Sequence, residues 1–214
     1  MRYGVLGTGM VGQALARRLR ELGHEVAMGA REASNEKARA FAAETGGQAM
    51  DFAGAAAFGE VIIHATSGAH ALEALNQAGA ENLAGKVLID ISNALDFSQK
   101  PPVLSVVNTD SLGETIQRAF PQARVVKTLC TVNAKVMVDP GRLPGEHVVF
   151  LSGNDNGAKK DVRDLLTSFG WTAIIDLGGI EGARAQEMMM PMWLRLWGHL
   201  GTPDFNWMLT RRAD

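Results

Sequence analysis

A glycine-spaced turn close to the start of the sequence constrains the fold more than any other feature. The stretch GVLGTGMVGQALA, residues 4–16, carries glycines at Gly7, Gly9 and Gly12. A short apolar run before the turn has the pattern of a buried strand, and apolar residues at helical spacing follow it as far as Gly23. Strand, glycine turn and helix form the arrangement in which this spacing binds a dinucleotide. The sequence therefore predicts a nucleotide-binding unit at this position.

Each glycine of the turn has its own physical role in such a unit. Gly7 permits a tight turn, Gly9 lets the backbone approach a pyrophosphate, and Gly12 lets the helix pack closely on the strand. The helix N-terminus adds free N–H groups and a partial positive charge that favour phosphate. A glycine turn without a ligand is the alternative interpretation. We expect the nucleotide to contact the whole turn, namely Gly7, Thr8, Gly9, Met10, Val11 and Gly12.

Composition limits the class of protein. The 214 residues suit one domain with at most a modest appendage, and 46% hydrophobic with 21% charged residues is typical of globular proteins. A net charge of −2 without a basic cluster argues against nucleic-acid binding. The single cysteine, Cys130, excludes an internal disulfide, and a buried position is favoured over a redox thiol. Lacking a signal region or an apolar run of transmembrane length, the protein is expected to be cytoplasmic and free of membranes.

Strand and helix patterns alternate along most of the chain. This alternation is typical of strands joined by crossover helices, so the sequence predicts an α/β fold built on a Rossmann doubly wound parallel sheet. A capping-box sequence, Ser111-Leu112-Gly113-Glu114, marks one helix start, and residues 94–108 are expected to form a long surface loop. Strand patterns cover residues 24–29, 60–65, 86–91, 124–129, 147–151 and 172–176, and helical patterns cover 34–44, 69–77, 111–120 and 158–169.

The end of the second strand pattern indicates which dinucleotide is bound. NAD-binding proteins place a carboxylate there for the ribose 2′-hydroxyl, whereas NADP-binding proteins place an arginine nearby for the 2′-phosphate. Here the strand ends without a carboxylate and is followed by Arg31, whose planar guanidinium matches phosphate. A solvated arginine is the alternative. We therefore expect NADP(H), contacted by Ala30, Arg31, Ser34 and Lys37.

The chain is expected to consist of an NADP-binding Rossmann domain, residues 1–180, and a small helical C-terminal segment, residues 181–214.

Small polar turns follow two further strand patterns. Because the carboxyl ends of parallel strands line the ligand crevice, these turns are expected to meet the ribose and the nicotinamide. Ordinary turn chemistry is the alternative interpretation. The residues concerned are Thr66 and Ser67 after one strand, and Ser92 and Asn93 after the next.

The sequence assigns no catalytic acid or base. Its sole tyrosine, Tyr3, lies in the first strand, so a Tyr-x-x-x-Lys relay is absent. Lys127 is open to two interpretations, a relay or anion-binding group and a structural or solvated lysine. Thr131 and Asn133 are neutral hydrogen-bonding residues suited to a substrate, with a structural role as the alternative. The histidines lack metal-ligand spacing, so no metal site is predicted.

The C-terminal segment contains a helix pattern that is apolar nearly all round. Such a helix needs cover on more than one side, so core packing against the Rossmann sheet, with or without a twofold partner, is one interpretation. A soft wall for an aromatic substrate ring, formed by Met189 and Trp193, is the other. Pro191 is expected to kink the helix or to start it anew. Arg184 and Glu187, three residues apart, are expected to pair on its surface.

Four stretches together resemble the family of NADPH:coenzyme F420 oxidoreductases. They read GVLGTGMVGQALA, HEVAMGAREASNEKA, VVKTLCTVNAKVMVDP and GWTAIIDLGGIEGARAQE, in the order of the family. The resemblance implies a Rossmann domain with a small helical C-terminal part. It also implies hydride transfer between the NADPH nicotinamide and a deazaflavin ring, coenzyme F420, held above it. One departure is Ala30, which stands where the family has a serine that would bind the phosphate.

The identity of the electron acceptor stays open at this point. A small-molecule redox acceptor and a homodimer are expected, with a flavin, a quinone, a metal chelate or a small carbonyl or imine as alternatives to the deazaflavin. A module that binds NADP(H) and reports it to a partner without turnover is a rival from another class of protein.

Overall fold

A computed structural model describes residues 1–212 of the chain. An eight-stranded, mostly parallel sheet is flanked by helices, which confirms the predicted α/β Rossmann fold. The last two residues of the expected C-terminal segment, 213–214, lie outside the described residues.

The strands and helices follow one another with short connections. The strands are β1 (Arg2–Leu6), β2 (Glu25–Ala30), β3 (Gln48–Asp51), β4 (Val61–His64), β5 (Val87–Asp90), β6 (Leu95–Asp96), β7 (Val103–Leu104), β8 (Arg124–Thr128), β9 (Val148–Gly153) and β10 (Ala173–Asp176). The helices are α1 (Met10–Glu21), α2 (Glu36–Thr45), α3 (Phe52–Phe58), α4 (Ala71–Ala78), α5 (Ala80–Leu83), α6 (Leu112–Ala119), α7 (Ala134–Val138), α8 (Asn156–Phe169), α9 (Ala183–Met188) and α10 (Met190–Leu200).

The order of strands across the large sheet is β3-β2-β1-β4-β5-β8-β9-β10. The chain reverses its direction of travel across the sheet between β1 and β4, and a crevice opens at the carboxyl ends of strands at such a point. The expectation that every strand is parallel is wrong at one pair, since β9 runs antiparallel to β8. The helix between them, α7, has only five residues and spans about 7.5 Å. It does not carry the chain back to the opposite edge of the sheet.

The sheet is buried on both faces, which explains why its strands are continuous apolar runs. Successive residues alternate between two hydrophobic clusters, one on each side. One face carries Val5, Ile63, Ile89 and Val126, and the opposite face carries Leu6, Ile62, Leu88 and Val125.

Three local features differ from, or add to, the sequence prediction. The segment expected to be a loop, 94–108, contains the two-stranded antiparallel pair of β6 and β7. Strand β3 and helix α3 are absent from the sequence prediction, because their residues have no strong hydrophobic periodicity. Asp51 caps α3 by accepting a hydrogen bond from the Gly54 N–H at 2.7 Å. The helix start predicted by the capping-box sequence is confirmed, because Ser111 Oγ accepts from the Glu114 N–H at 3.1 Å. The reciprocal half of the box differs, since the Ser111 N–H donates to Asp110 Oδ1 at 2.9 Å and not to Glu114.

The three glycines of the first turn lie in different surroundings. Gly7 has φ +121°, and a Cβ there would lie 2.5 Å from the carbonyl oxygen of Ala65. At Gly12 a Cβ would collide with the carbonyl oxygen of Gly7, whereas at Gly9 it would meet no atom within 4 Å. Gly7 and Gly12 are therefore required by the protein itself, and the space beside Gly9 is free.

This difference predicts that two alanine substitutions change the stability by unequal amounts. Gly12→Ala is expected to lower the free energy of unfolding by about 1–3 kcal/mol, because overpacking against the backbone outweighs the better helix propensity of alanine. Gly9→Ala, the matched control, is expected to lower it by less, because a Cβ there meets no atom and only the poorer N-cap preference of alanine acts. Urea unfolding followed by circular dichroism measures both. Equal stabilities of the two variants would contradict the close approach of α1 to the turn.

Candidate active site

A cleft of about 330 Å³ opens beyond the carboxyl ends of the neighbouring strands β1 and β4, where the strand order reverses. Its walls combine the glycine turn, the end of β2, the turn after β4 and one side of α4. Several residues that the sequence singles out separately are brought together here. They are Gly7, Thr8, Gly9, Ala30, Arg31, Thr66 and Ser67, joined by Asn35, Phe52, Ala65, His70, Glu73, Ala74 and Gln77.

The N-terminus of α1 faces this cleft with its backbone N–H groups uncapped. No side chain caps the helix, and its first turn contains no acidic residue. Helix N-termini with free N–H groups and a positive dipole end bind phosphate. Together with the free space beside Gly9, this arrangement fits a dinucleotide pyrophosphate.

Not every residue of the predicted nucleotide site lies on the cleft wall. Met10 is exposed, and Val11 packs against the hydrophobic cluster under α1. Ser34 donates a hydrogen bond from Oγ to Glu32 Oε2 at 3.2 Å, and Lys37 is exposed on α2. The cleft wall instead contains Asn35, which also caps α2 by accepting from the Ala38 N–H at 3.1 Å.

Three polar residues lie side by side at the carboxyl ends of neighbouring strands. His64, Asp90 and Lys127 are register partners on β4, β5 and β8, and all are fully buried. His64 Nδ1 lies 2.8 Å from Asp90 Oδ1, and Lys127 Nζ lies 2.8 Å from Asp90 Oδ2. They lie on the same face of the sheet as Ile62, Leu88 and Val125, because each is two residues further along its strand and side chains on one face recur with period two.

Glu187 on α9 closes this series from the side of the C-terminal segment. Its Oε1 lies 2.9 Å from Lys127 Nζ, and it accepts hydrogen bonds from the backbone N–H groups of Leu112 and Gly113 at 2.8 and 3.0 Å. We call His64, Asp90, Lys127 and Glu187 the buried ionic row. Glu187 thereby also satisfies the N-terminus of α6, where a negative charge is favourable.

The expected surface pair of Arg184 with Glu187 is wrong. Arg184 binds Glu114 instead, with Arg184 Nε at 2.8 Å from Glu114 Oε2. Glu187 is only 1% exposed and points beneath α6, where a cation and two backbone N–H groups compensate its charge. Three-residue spacing on a helix indicates that two side chains can meet, but the buried donors here bind Glu187 more strongly.

The charges of the row stabilise one another. Burial by itself raises the pKa of Asp90, but Lys127 and His64 outweigh this effect and hold the pKa well below the usual range. Burial by itself lowers the pKa of Lys127, but the carboxylates of Asp90 and Glu187 raise it above the usual range. Lys127 also donates to the Ser92 carbonyl oxygen, so its ammonium has two hydrogen-bond acceptors and a further carboxylate within the protein. Of the two interpretations of Lys127, the structure supports the structural one.

Two residues of the loop after β5 have distinct surroundings. Ser92 is buried and donates from Oγ to Asp90 Oδ1 at 2.6 Å, so its hydroxyl is directed toward the ionic row. Asn93 donates from Nδ2 to the Cys130 carbonyl oxygen at 2.8 Å. Among the described residues, Asn93 Oδ1 is buried without a hydrogen-bond partner. An unsatisfied buried acceptor is rare in proteins, and a ligand donor would satisfy it.

The segment after β8 supplies the other predicted substrate residues. Thr131 is buried, and Asn133 caps α7 by accepting from the Lys135 N–H at 3.0 Å. Cys130 is buried, as expected, and burial raises the pKa of its thiol to about 12. Leu129 has φ 59°, an uncommon value for a non-glycine residue, where the chain turns out of the strand.

The C-terminal helices are only partly covered. Helix α9 ends at Met188 and α10 begins at Met190 with Pro191 in its first turn, which confirms that proline starts the helix anew. Trp193 is buried, with its ring 5.4 Å from the ring of Phe205, and Met189 is half-buried. Core packing of the whole helix is not observed within this chain. Met188, Met192, Trp197 and Leu200 are exposed.

Residues 1–212 offer no candidate for two other kinds of site. No helix in this range has both the length and the apolar composition needed to span a bilayer. Over the same range, His, Cys, Asp and Glu side chains do not form a group of three or more that would hold a metal ion.

Fold and comparisons together define an NADP-dependent oxidoreductase with a Rossmann-like dinucleotide-binding fold. Residues 2–94 match the family model described as NADP oxidoreductase, coenzyme F420-dependent. A solved structure from Arthrobacter sp. FB24, provisionally named an F420-dependent NADP-reductase, is 52% identical to the chain with a TM-score of 0.95. The match covers 99% of this chain and 100% of that one. The chain therefore belongs to the family of coenzyme F420-dependent NADP oxidoreductases, and its cofactor is NADP(H).

Two more distant relatives extend the comparison. The F420-dependent NADP reductase of Methanocaldococcus jannaschii is 28% identical over 208 residues, covering 92% of each chain. Metalloreductase STEAP3 of Rattus norvegicus is 28% identical over an alignment of 196 residues that covers 90% of this chain and 38% of that protein.

The buried ionic row predicts a large effect of Lys127→Met on stability. Methionine keeps most of the apolar stem of lysine but leaves Asp90 and Glu187 without a cation, and breaking a buried pair in this way costs about 3–5 kcal/mol. We expect the free energy of unfolding at pH 7, measured by urea unfolding, to fall by about that amount.

The pH dependence of this loss has a defined sign. In the wild-type chain the low pKa of Asp90 contributes stability above the pKa of an unfolded aspartate, and this contribution is lost as the pH falls. The deficit of Lys127→Met is therefore expected to shrink toward acid pH. Lys160→Met, at an exposed pair with Asp164, is the matched control and is expected to change little. A Lys127→Met deficit no larger than that of the control would show that the row does not stabilise the fold.

Proposed function

We propose that the chain transfers a hydride between NADP(H) and a deazaflavin of the coenzyme F420 type. The observation that carries the nucleotide half of this proposal is the assembly of the glycine turn, Arg31 and Thr66 around one cleft. The acceptor half rests on the relatives named as F420-dependent NADP reductases, which cover nearly the whole chain. The nicotinamide supplies or receives the hydride when it is bound.

In this proposal different residues of the cleft bind different parts of the nucleotide. The backbone from Gly7 to Gly12 and the free end of α1 hold the pyrophosphate. Arg31 binds the 2′-phosphate, with Ser34 and Lys37 contributing positive charge or hydrogen bonds from the start of α2. Thr66 and Ser67 bind the nucleotide beside the glycine turn.

The loops after β5 and β8 orient the nicotinamide in this scheme. The unsatisfied Asn93 Oδ1 accepts a hydrogen bond from the carboxamide, and Thr131 and Asn133 offer further neutral groups to the ring or to the acceptor. Ser92 contributes through its backbone, because its hydroxyl is already bound to Asp90. No acid or base is assigned, since hydride transfer depends mainly on alignment and exclusion of water.

We place the acceptor ring against the C-terminal helices. Met189 and Trp193 would form an apolar wall, and the Trp193 Nε1–H, buried without a partner among residues 1–212, would donate to a ring carbonyl. A second copy of the chain would cover the exposed apolar residues of α10 in a homodimer.

The role of Arg31 is tested by Arg31→Ala. Loss of a charge-assisted hydrogen bond to the 2′-phosphate is expected to weaken NADPH binding by about 1.5–3 kcal/mol, roughly 10- to 100-fold, with little change for NADH. Arg39→Ala removes an exposed arginine on α2, the helix that follows Arg31; it is the control and should change neither affinity. Calorimetric titration of NADPH and of NADH into the wild-type chain and both variants measures these affinities. Equal weakening of NADPH and NADH would show that Arg31 does not bind the 2′-phosphate.

The acceptor is tested by NADPH oxidation at 340 nm with coenzyme F420, FMN, a quinone and a ferric chelate in parallel. Rapid turnover with coenzyme F420 alone is expected. Turnover confined to the ferric chelate would favour the chemistry of the metalloreductase relative. NADPH binding with no turnover across all acceptors would favour the sensor alternative.

A further inference from the structure

His64 is the member of the buried ionic row that contacts a residue of the nucleotide cleft, Thr66. Its Nδ1 faces Asp90, and its Nε2 lies 2.6 Å from Thr66 Oγ1. Thr66 lines the cleft, and its backbone nitrogen would lie 3.1 Å from a Cβ built at Gly7, so it stands beside the glycine turn. A fully buried histidine is thus one hydrogen bond away from the position proposed for the phosphates.

The protonation state of His64 decides what Thr66 can offer to the cleft. Asp90 is an acceptor, so His64 Nδ1 carries a proton in either state. When His64 is neutral, its bare Nε2 accepts the Thr66 hydroxyl proton, and Thr66 presents only lone pairs to a ligand. When His64 is an imidazolium, Nε2 donates to Thr66 Oγ1, and the Thr66 hydroxyl is free to donate to a phosphate oxygen.

The charge balance of the row favours protonation once a nucleotide is present. Two carboxylates, Asp90 and Glu187, share one lysine, so a neutral His64 leaves one negative charge in excess. A phosphate group bound nearby adds further negative charge in a site of low dielectric, where such interactions are strong. Protonation of His64 neutralises the excess charge of the row and thereby reduces its repulsion of the phosphate.

We propose that His64 takes up a proton when NADP(H) binds, and thereby turns the Thr66 hydroxyl into a donor to an oxygen of the nucleotide phosphates. The step is proton transfer from solvent to His64 Nε2, with no bond to carbon and no electron transfer. His64 is then a positioning residue that acts through Thr66. This inference rests on the proposed position of the nucleotide in the cleft.

The proton uptake of His64 must be distinguished from effects of the other charged groups near it and around the cleft. Lys127 on β8 and Glu187 on α9 lie behind Asp90, and the partner of His64 on β1 is the apolar Leu6. On the cleft walls, Arg31 follows β2, and His70 pairs with Glu73 on the side of α4 at 3.3 Å. His70 is the group most easily mistaken for His64, because it is a second histidine at the cleft and also lies beside a carboxylate.

The test is calorimetric titration of NADP⁺ into the protein at pH 7 in two buffers of different ionisation enthalpy, which yields the number of protons bound with the nucleotide. The 2′-phosphate of the ligand titrates near this pH, so the readout is the difference between variants. Relative to His64→Gln, the wild-type chain is expected to take up an additional roughly 0.2–1 proton. The NADP⁺ affinity of the wild-type chain, divided by that of His64→Gln, should rise as the pH falls, by at most about tenfold per pH unit for one proton.

Three further variants locate the proton. Thr66→Ser keeps the hydroxyl and should keep the uptake, whereas Thr66→Val removes the partner of Nε2 and should lose most of it. His70→Gln should keep the wild-type uptake. The ¹⁵N signals of His64 in histidine-labelled protein should move to imidazolium positions when NADP⁺ is added, which tests the idea without a substitution at the row.

The outcomes separate this inference from the proposed function. NADP⁺ binding with equal proton uptake in the wild-type chain and in His64→Gln, or with unchanged ¹⁵N signals, overturns the role of His64 and leaves the nucleotide site intact. Failure of the folded wild-type chain to bind NADP⁺ overturns both.

Discussion

The buried ionic row is the interaction on which the carboxyl edge of the sheet depends. Register places His64, Asp90 and Lys127 on adjacent strands at one level, and Glu187 joins them from α9. Removing several charges from water is costly, and the cost is offset only if every charge is paired and hydrogen-bonded. The row therefore requires β4, β5, β8 and α9 to hold their positions together. The loops that follow these strands inherit those positions, including the loops that carry Thr66 and Asn93.

Features encoded by neighbouring residues could be predicted from the sequence. The glycine turn, the capping box at Ser111 and the helix restart at Pro191 each depend on a few consecutive residues with restricted backbone geometry. Arg31 could be placed at the cleft because it follows a strand whose partner, β1, ends in the glycine turn. The Rossmann sheet followed from the alternation of apolar runs and amphipathic helices.

Features that depend on distant partners could not be predicted in the same way. Glu187 lies 60 positions after Lys127 in the sequence, and only the fold brings its carboxylate to the buried ammonium. A single charged residue within an apolar strand pattern, such as Lys127 or Asp90, was a usable signal, since buried charges require partners. The direction of β9 was also hidden, because strand patterns do not encode direction and the intervening helix is short.

The double role of Glu187 has a consequence for the modularity of the chain. Its carboxylate neutralises a lysine in the sheet and at the same time terminates the backbone donors of α6, so the segment after β10 is built into the nucleotide-binding part and not merely attached to it. A shortened chain that stopped at residue 180 would remove one of the two carboxylates beside the Lys127 ammonium and leave the N-terminus of α6 without its acceptor. Exchanging C-terminal segments between relatives to alter acceptor preference would therefore succeed only where the junction lies beyond Glu187.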